Sequence, residues 1–263
     1  LFVITSACHT YADKRKNHPF QTVNINVENV SVSRSGHQVL NDLSFELQDG
    51  HILSVMGKSG CGKTTLLRVI AGLGSADTGT ITIGGRDVTG IPPQERRAVY
   101  LYQEALLFPH LNVLENLAFG LKIRGENKKS AENKARDMLE QLDLTSHAHK
   151  KSEQLSGGQR QRVAFGRALL VSPSVLLLDE PFSNLDSETR MAMQQLYRKM
   201  AQERGITTIF VTHDLKEAVI MGSRLSYMEE GKLRVYDDLQ TFAADSRTGM
   251  QREIGFWQSF DKR

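Results

Sequence analysis

Cysteine is scarce in this chain, with only Cys8 and Cys61 among 263 residues. Two are too few for a disulfide framework, which points to a reducing compartment. Long apolar runs are missing as well. None approaches the roughly 18–20 residues that span a bilayer. The longest buried-looking stretch, Ala168 to Leu178, is broken by Ser-Pro-Ser, so a membrane role would have to work through a partner. Neither sign of charge dominates, since 33 Lys and Arg face 30 Asp and Glu for a formal charge of +3. Nucleic-acid-binding domains usually carry a concentrated basic face. The short runs Lys14–Lys16, Arg96–Arg97 and Lys150–Lys151 read as solvated surface, and nucleic acid is not an expected partner.

What is present suits a globular protein, with 40% hydrophobic and 24% charged residues, enough for one large core. The chain opens on Leu, and residues 1–8 faintly suggest a lipoprotein leader without its basic start. Residues 1–19 are therefore expected to be a disordered extension. Alternation at Val23, Ile25, Val27, then Leu43, Phe45 and Leu47 predicts antiparallel strands over 20–48. Beyond the turn at Asp49-Gly50, Ile52–Met56 reads as a short buried strand and Thr64–Ala71 as a helix closed by Gly72. Further strands are predicted near 80–83, 99–102, 175–178, 207–211, 224–229 and 232–236. Helices are predicted from Val113, over 128–142, from the glycines at 157 to about Val171, over 187–203 and near 216–221. Strands alternating with helices imply an α/β fold with a mostly parallel core sheet. The antiparallel strands form a separate β subdomain, and about 104–170 reads as a helical insertion.

Gly57-Lys58-Ser59-Gly60-Cys61-Gly62-Lys63-Thr64 matches the G-x-x-x-x-G-K-[ST] phosphate loop in full, between an apolar strand and a helix. Its glycines let consecutive N–H groups turn toward phosphates, and the helix N-terminus adds its dipole. Lys63 is suited to reach the phosphates and the Thr64 hydroxyl to ligate Mg²⁺; Thr65 follows in the same turn. The strand Val175–Leu178 runs into Asp179 and Glu180 at the sheet edge where open α/β folds bind ligands. Asp179 is suited to hold Mg²⁺, directly or through water, and Glu180 to polarise an attacking water. Gln103 and His213 each follow a strand, and alone each reads more readily as a plain loop residue than as a γ-phosphate contact. His147 and His149 read as surface rather than as a metal site, with no further ligands near them in sequence.

The phosphate loop, Gln103, Leu155-Ser156-Gly157-Gly158-Gln159, Asp179-Glu180, Ser183–Asp186 and Thr212-His213-Asp214 occur in one order at consistent spacing. This set closely resembles the ATP-binding-cassette (ABC) transporter ATPases over residues 20–237, with 238–263 left as a short tail. The resemblance implies a phosphate-loop NTPase fold of the ABC type that binds ATP and Mg²⁺. It also implies two cassettes facing head to tail, with Ser156, Gly157, Gly158 and Gln159 holding the γ-phosphate bound to the partner's loop. Asp186 would cross the seam, Gln103 would sense the γ-phosphate and Mg²⁺, and His213 would be the switch histidine, beside Lys63 and the general base Glu180. One departure stands out. Where the family usually places an aromatic to stack on adenine, this chain reads Val30-Ser-Val-Ser-Arg34-Ser-Gly36, so either Arg34 stacks on the base or the base is held loosely.

Ile91–Arg97 and Tyr102–Asn116 look like the importer branch that works with a solute-binding protein, in the group handling ferric iron, polyamines, thiamine, inorganic anions and sugars. The expectation is an ATP-hydrolysing subunit, peripheral on the cytoplasmic face of the cell membrane. It would pair with a second ATPase subunit, as a homodimer, on transmembrane permease subunits. The alternatives are an exporter ATPase, a soluble ABC ATPase on ribosomes or DNA, and a nucleotide-binding regulator without turnover. Cys61 lies inside the phosphate loop, at a helix N-terminus beside Lys63, where thiols are reactive; it reads equally as a small residue filling a variable loop position. Thiol reagents are expected to inactivate the protein and ATP to protect it; unchanged sensitivity in Cys61→Ser would show that Cys61 is not the target.

Overall fold

The computed structural model describes residues 23–260; the extension 1–19 lies outside them. The chain folds as two compact units, Val23–Ile91 with 207–260, and Pro92–Ile206.

The first unit begins with β1 (Ile25–Arg34) and β2 (His37–Leu47), followed by β3 (Ile52–Gly57), α1 (Lys63–Ala71), β4 (Thr78–Ile83) and β5 (Arg86–Asp87). The alternation read in the sequence becomes an antiparallel sheet ordered β2-β1-β4-β5. Ile25 faces Leu47 and Val27 faces Phe45 across β1 and β2, so their apolar side chains share one face. β3 is different, because all of Ile52–Met56 is buried, as befits a strand covered on both faces. Its neighbours, both parallel, come from the end of the chain.

The second unit holds β6 (Ala98–Leu101), α2 (Val113–Ile123), α3 (Lys128–Gln141), α4 (Gly157–Leu170), β7 (Val175–Asp179) and α5 (Ser187–Arg204). β6 pairs in parallel with β7, placing Leu101 opposite Leu178. The helix α4 crosses α2 and α3 at Gly166. A Cβ there would lie 2.6 Å from Leu142 Cδ1 and 3.0 Å from Met138 Cγ, so a larger residue would have to displace the Leu142 and Met138 side chains. The residue just before Gly166, Phe165, sets its ring against those of Phe182 and Tyr197, each at 5.7 Å between centroids.

Two buried polar side chains tie the loop after β6 to these helices. Asn116 Oδ1 accepts from the Phe108 N–H at 2.9 Å, and its Nδ2 donates to the carbonyls of Phe108, Leu111 and Asn112 at 3.0–3.1 Å. Arg167, fully buried on α4, donates to Asn116 Oδ1 at 3.2 Å and to the Leu106 carbonyl, with its guanidinium 4.8 Å from the Phe108 ring centroid.

The first unit is completed by β8 (Thr207–Val211), α6 (Leu215–Met221), β9 (Arg224–Glu229), β10 (Lys232–Tyr236), α7 (Leu239–Ala244) and α8 (Met250–Phe260). β3 lies between β8 and β9, and β10 closes that edge antiparallel to β9. The stretch after Tyr236, expected only as a tail, forms two helices. Phe242 of α7 is wholly buried against Tyr236, Tyr227 and Met56. Asp245 then accepts from Tyr236 Oη at 2.8 Å and from the Arg247 guanidinium at 2.6 Å. The Arg247 hydrogen bonds hold the Asp245 carboxyl well below its usual range.

The α/β fold read from the sequence, with parallel core strands, an antiparallel sheet and a run of helices, is the one that forms. Replacing Gly166 with Val should lower unfolding stability by about 1–3 kcal/mol through overpacking. Urea denaturation would register this as a lower midpoint, and an unchanged midpoint would show that the crossing has slack to take a side chain.

Candidate functional site

The phosphate loop begins where β3 ends. Gly57 has φ 150°, and a Cβ on it would lie 2.2 Å from the Met228 carbonyl oxygen. Gly62, at φ 111°, is similarly confined, 2.7 Å from Val39 O. Both positions therefore need glycine, for conformation and for space. Lys63 opens α1 and is buried. Its ammonium donates to the Gly57 and Lys58 carbonyls at 2.7 and 2.8 Å, and lies 3.8 Å from Cys61 Sγ. Cys61 is half-buried, Lys58, Ser59 and Gly60 are exposed, and Thr64 and Thr65 are half-buried.

The start of α1 differs from those of α2 to α7 in a way that bears on ligand fit. Asn112, Asn127, Ser156, Asp186, Asp214 and Asp238 each cap their helices with a side-chain oxygen. Gly62 has none to offer, and the first turn of α1 carries no acidic residue. A helix N-terminus without a side-chain cap, preceded by a glycine-rich curl, is built to take an anion from outside the chain. The same unit carries His213, exposed at the end of β8. Behind it, Thr212 donates to the buried Glu217 carboxylate at 2.7 Å, and Asp214 caps α6 through the N–H groups of Lys216 and Glu217.

The second unit gathers the two carboxylates at the end of β7. Asp179 is buried and accepts from Tyr100 Oη at 2.8 Å. Glu180 is half-buried, and its carboxylate accepts from Gln103 Nε2 at 3.3 Å. Its backbone sits in the left-handed region at φ 45°, a conformation costing a non-glycine residue on the order of 1–3 kcal/mol. Ser183 stabilises that turn by donating its N–H and hydroxyl to the Glu180 carbonyl at 3.3 and 3.0 Å.

Also in this unit, Ser156 caps α4 reciprocally with Gln159, whose Oε1 accepts the Ser156 N–H at 2.9 Å. Gln159 Nε2 reaches His147 Nε2 at 3.2 Å, which gives the loop histidine a contact that its sequence context did not suggest. Gly157 is exposed, and a Cβ on Gly158 would touch Leu185 and Asn184 at 3.4–3.6 Å. The turn Leu155–Gln159, called the signature turn below, and the loop before Asp186 are thus neighbours. Asp186 is exposed and caps α5, and its bonds from Thr189 hold its carboxyl below the ordinary range. Arg34, the candidate for stacking on adenine, is exposed at the end of β1.

Among the described residues, no helix is long and apolar enough to cross a membrane. Tyr100 and Asn116 are the residues of this region that sequence reasoning missed. A tyrosine in an apolar strand reads as core packing, and an asparagine early in a helix reads as surface.

Residues 40–183 match the family model described as ABC transporter. The chain is 41% identical over 218 residues to the molybdate/tungstate import ATP-binding protein WtpC of Pyrococcus horikoshii, covering 82% of this chain and 63% of that one. It is 42% identical over 229 residues to the spermidine/putrescine import ATP-binding protein PotA of Fusobacterium nucleatum, covering 84% and 61%. To the Fe(3+) ions import ATP-binding protein FbpC of Agrobacterium fabrum it is 43% identical over 206 residues, covering 78% and 58%. The chain thus spans about three fifths of the length of these curated relatives. Among solved structures, the dimeric ATP-binding cassette MJ0796 bound to ADP and Pi superposes with a TM-score of 0.74 at 31% identity, covering 81% of this chain and 97% of that one. With its phosphate loop, signature turn and paired carboxylates inside the matched region, the chain belongs to the ABC transporter family.

Proposed function

We propose that this chain is the ATP-hydrolysing subunit of a membrane transporter that drives solute uptake, acting as a pair of cassettes. The observation that carries hydrolysis rather than binding alone is the placement of Asp179 and Glu180. Each carboxylate is held by its own donor, Asp179 by Tyr100 within β6 and Glu180 by Gln103 just past that strand. Uptake is supported by the relatives, which are import ATP-binding proteins at 41–43% identity.

In this reading the phosphate loop, Gly57 to Thr65, takes the phosphates of ATP. The uncapped start of α1 supplies N–H donors and dipole, and Lys63 turns from its backbone carbonyls to the β- and γ-phosphates. The donor set is hard oxygen, which suits Mg²⁺. Thr64 Oγ1, Gln103 and Asp179 would hold the ion, whose chemistry is to neutralise charge on the transferred phosphoryl group. Glu180 orients and accepts a proton from the attacking water, and His213 hydrogen-bonds the γ-phosphate. Ser156, Gly157, Gly158 and Gln159 serve the nucleotide of the partner cassette, with Asp186 at the seam. That division needs a second copy of the chain and fits the dimeric form of the MJ0796 cassette. Permease subunits, a solute-binding protein outside the membrane, and a peripheral place on the cytoplasmic face complete the proposal.

Glu180→Gln should bind ATP but turn over about 10²–10⁴-fold more slowly, so that an ATP-bound dimer accumulates in size-exclusion chromatography with light scattering. Hydrolysis at the wild-type rate would remove Glu180 from the role of base. Ser156→Arg should abolish hydrolysis while fluorescent-nucleotide binding to the phosphate loop persists. Retained hydrolysis in that variant would show that the signature turn does not serve the nucleotide.

A further inference from the structure

Tyr100 lies in the middle of β6, opposite Leu177 in the parallel ladder with β7. Its hydroxyl reaches past the ladder to the strand end and donates to Asp179 Oδ2 at 2.8 Å. Both residues are buried, at 7% and 6% exposure. A carboxylate so placed has lost most of its water and relies on protein donors for orientation. The tyrosine is itself well held, because its ring meets Tyr102 edge-on, 4.5 Å between centroids with 70° between planes. Packing alone would accept phenylalanine here, whereas a buried phenol needs a partner at its polar end. Its partner is the carboxylate that the proposed function gives to the metal. Three residues further along the chain, Gln103 does the same for Glu180.

From this arrangement we infer that Tyr100 is a positioning residue for the metal site: its hydroxyl fixes the plane of the Asp179 carboxylate before the divalent cation arrives. The inference rests on the proposed role of Asp179 as a Mg²⁺ ligand. Donors that hold a ligating carboxylate in place typically contribute 10- to 100-fold to metal affinity. A carboxylate set in advance avoids being ordered at the moment of binding. Tyr100 touches neither substrate nor metal in this scheme and acts only through Asp179.

The test uses the full chain with a non-hydrolysable ATP analogue and Mn²⁺ as the probe, titrated by electron paramagnetic resonance. Tyr100→Phe removes one oxygen and keeps the ring. It should weaken Mn²⁺ binding to the protein–nucleotide complex about 10-fold, while binding of the same nucleotide in EDTA stays at the wild-type level. Tyr100→Met, which fills the space without a donor, should behave alike and covers the case in which one variant folds poorly. A purely structural tyrosine would lower the melting temperature of the metal-free protein and leave Mn²⁺ affinity untouched, and that result would overturn the inference. Asp179→Ala is the separate control for the reading beneath it. If that variant keeps wild-type Mn²⁺ affinity, the metal assignment itself is wrong and the role of Tyr100 falls with it. If Asp179→Ala loses affinity and Tyr100→Phe does not, only the positioning role is wrong.

Discussion

The guanidinium of Arg167 is the contact on which the second unit is organised. A charge with no solvent exposure carries a desolvation cost that only hydrogen bonds and favourable fields offset. That burial lowers the Arg167 pKa to about 10, still far above neutrality, so the side chain stays charged. Its partners are the amide of Asn116 on α2, the Leu106 carbonyl and the face of Phe108. One side chain thereby connects α4, which begins at the signature turn, to the loop that leaves Gln103. Removing it would take the donor from the Leu106 carbonyl and one of the two donors from Asn116 Oδ1, so α4 and the loop cannot drift independently at low cost. A hydrophobic residue of similar size would fill the space and leave the loop backbone without a donor.

β6 and β7 divide labour in a comparable way. β7 is apolar through Leu178 and ends in two acids, so burial fixes the strand while its last residues meet polar surroundings. β6 supplies the donors that keep those acids oriented, one from within the strand and one just past its end. The left-handed backbone at Glu180 re-aims its side chain relative to Asp179. Two adjacent carboxylates can then take different roles without competing for the same partner.

Much of this was legible in the sequence. The period-2 runs of β1 and β2, the unbroken apolar run of β3 and the glycine spacing around Lys63 each have one dominant physical reading, and each formed where expected. Partnership was harder to read. Nothing in Val99-Tyr100-Leu101 says that the phenol reaches a residue 79 positions away. The parallel register that permits it is a property of two strands, not of either sequence. Arg167 likewise looks like surface in a helix until its neighbours are known. The helices after Tyr236 escaped notice because α7 is only six residues long, too short for periodicity to register. Their anchors are one buried side chain, Phe242, with the Asp238 capping box and the Asp245–Arg247 cluster, a mix that leaves no apolar stripe to read.

The missing side-chain cap at Gly62 has a thermodynamic side. Where a helix supplies its own cap, that contribution to folding is constant. Where the cap comes from solution, it enters by mass action and grows with the logarithm of the anion's concentration. The first turn of α1 is therefore coupled to the composition of its surroundings in a way the six side-chain-capped helices are not. Resistance to heat, in such a protein, is partly a property of the solution it sits in.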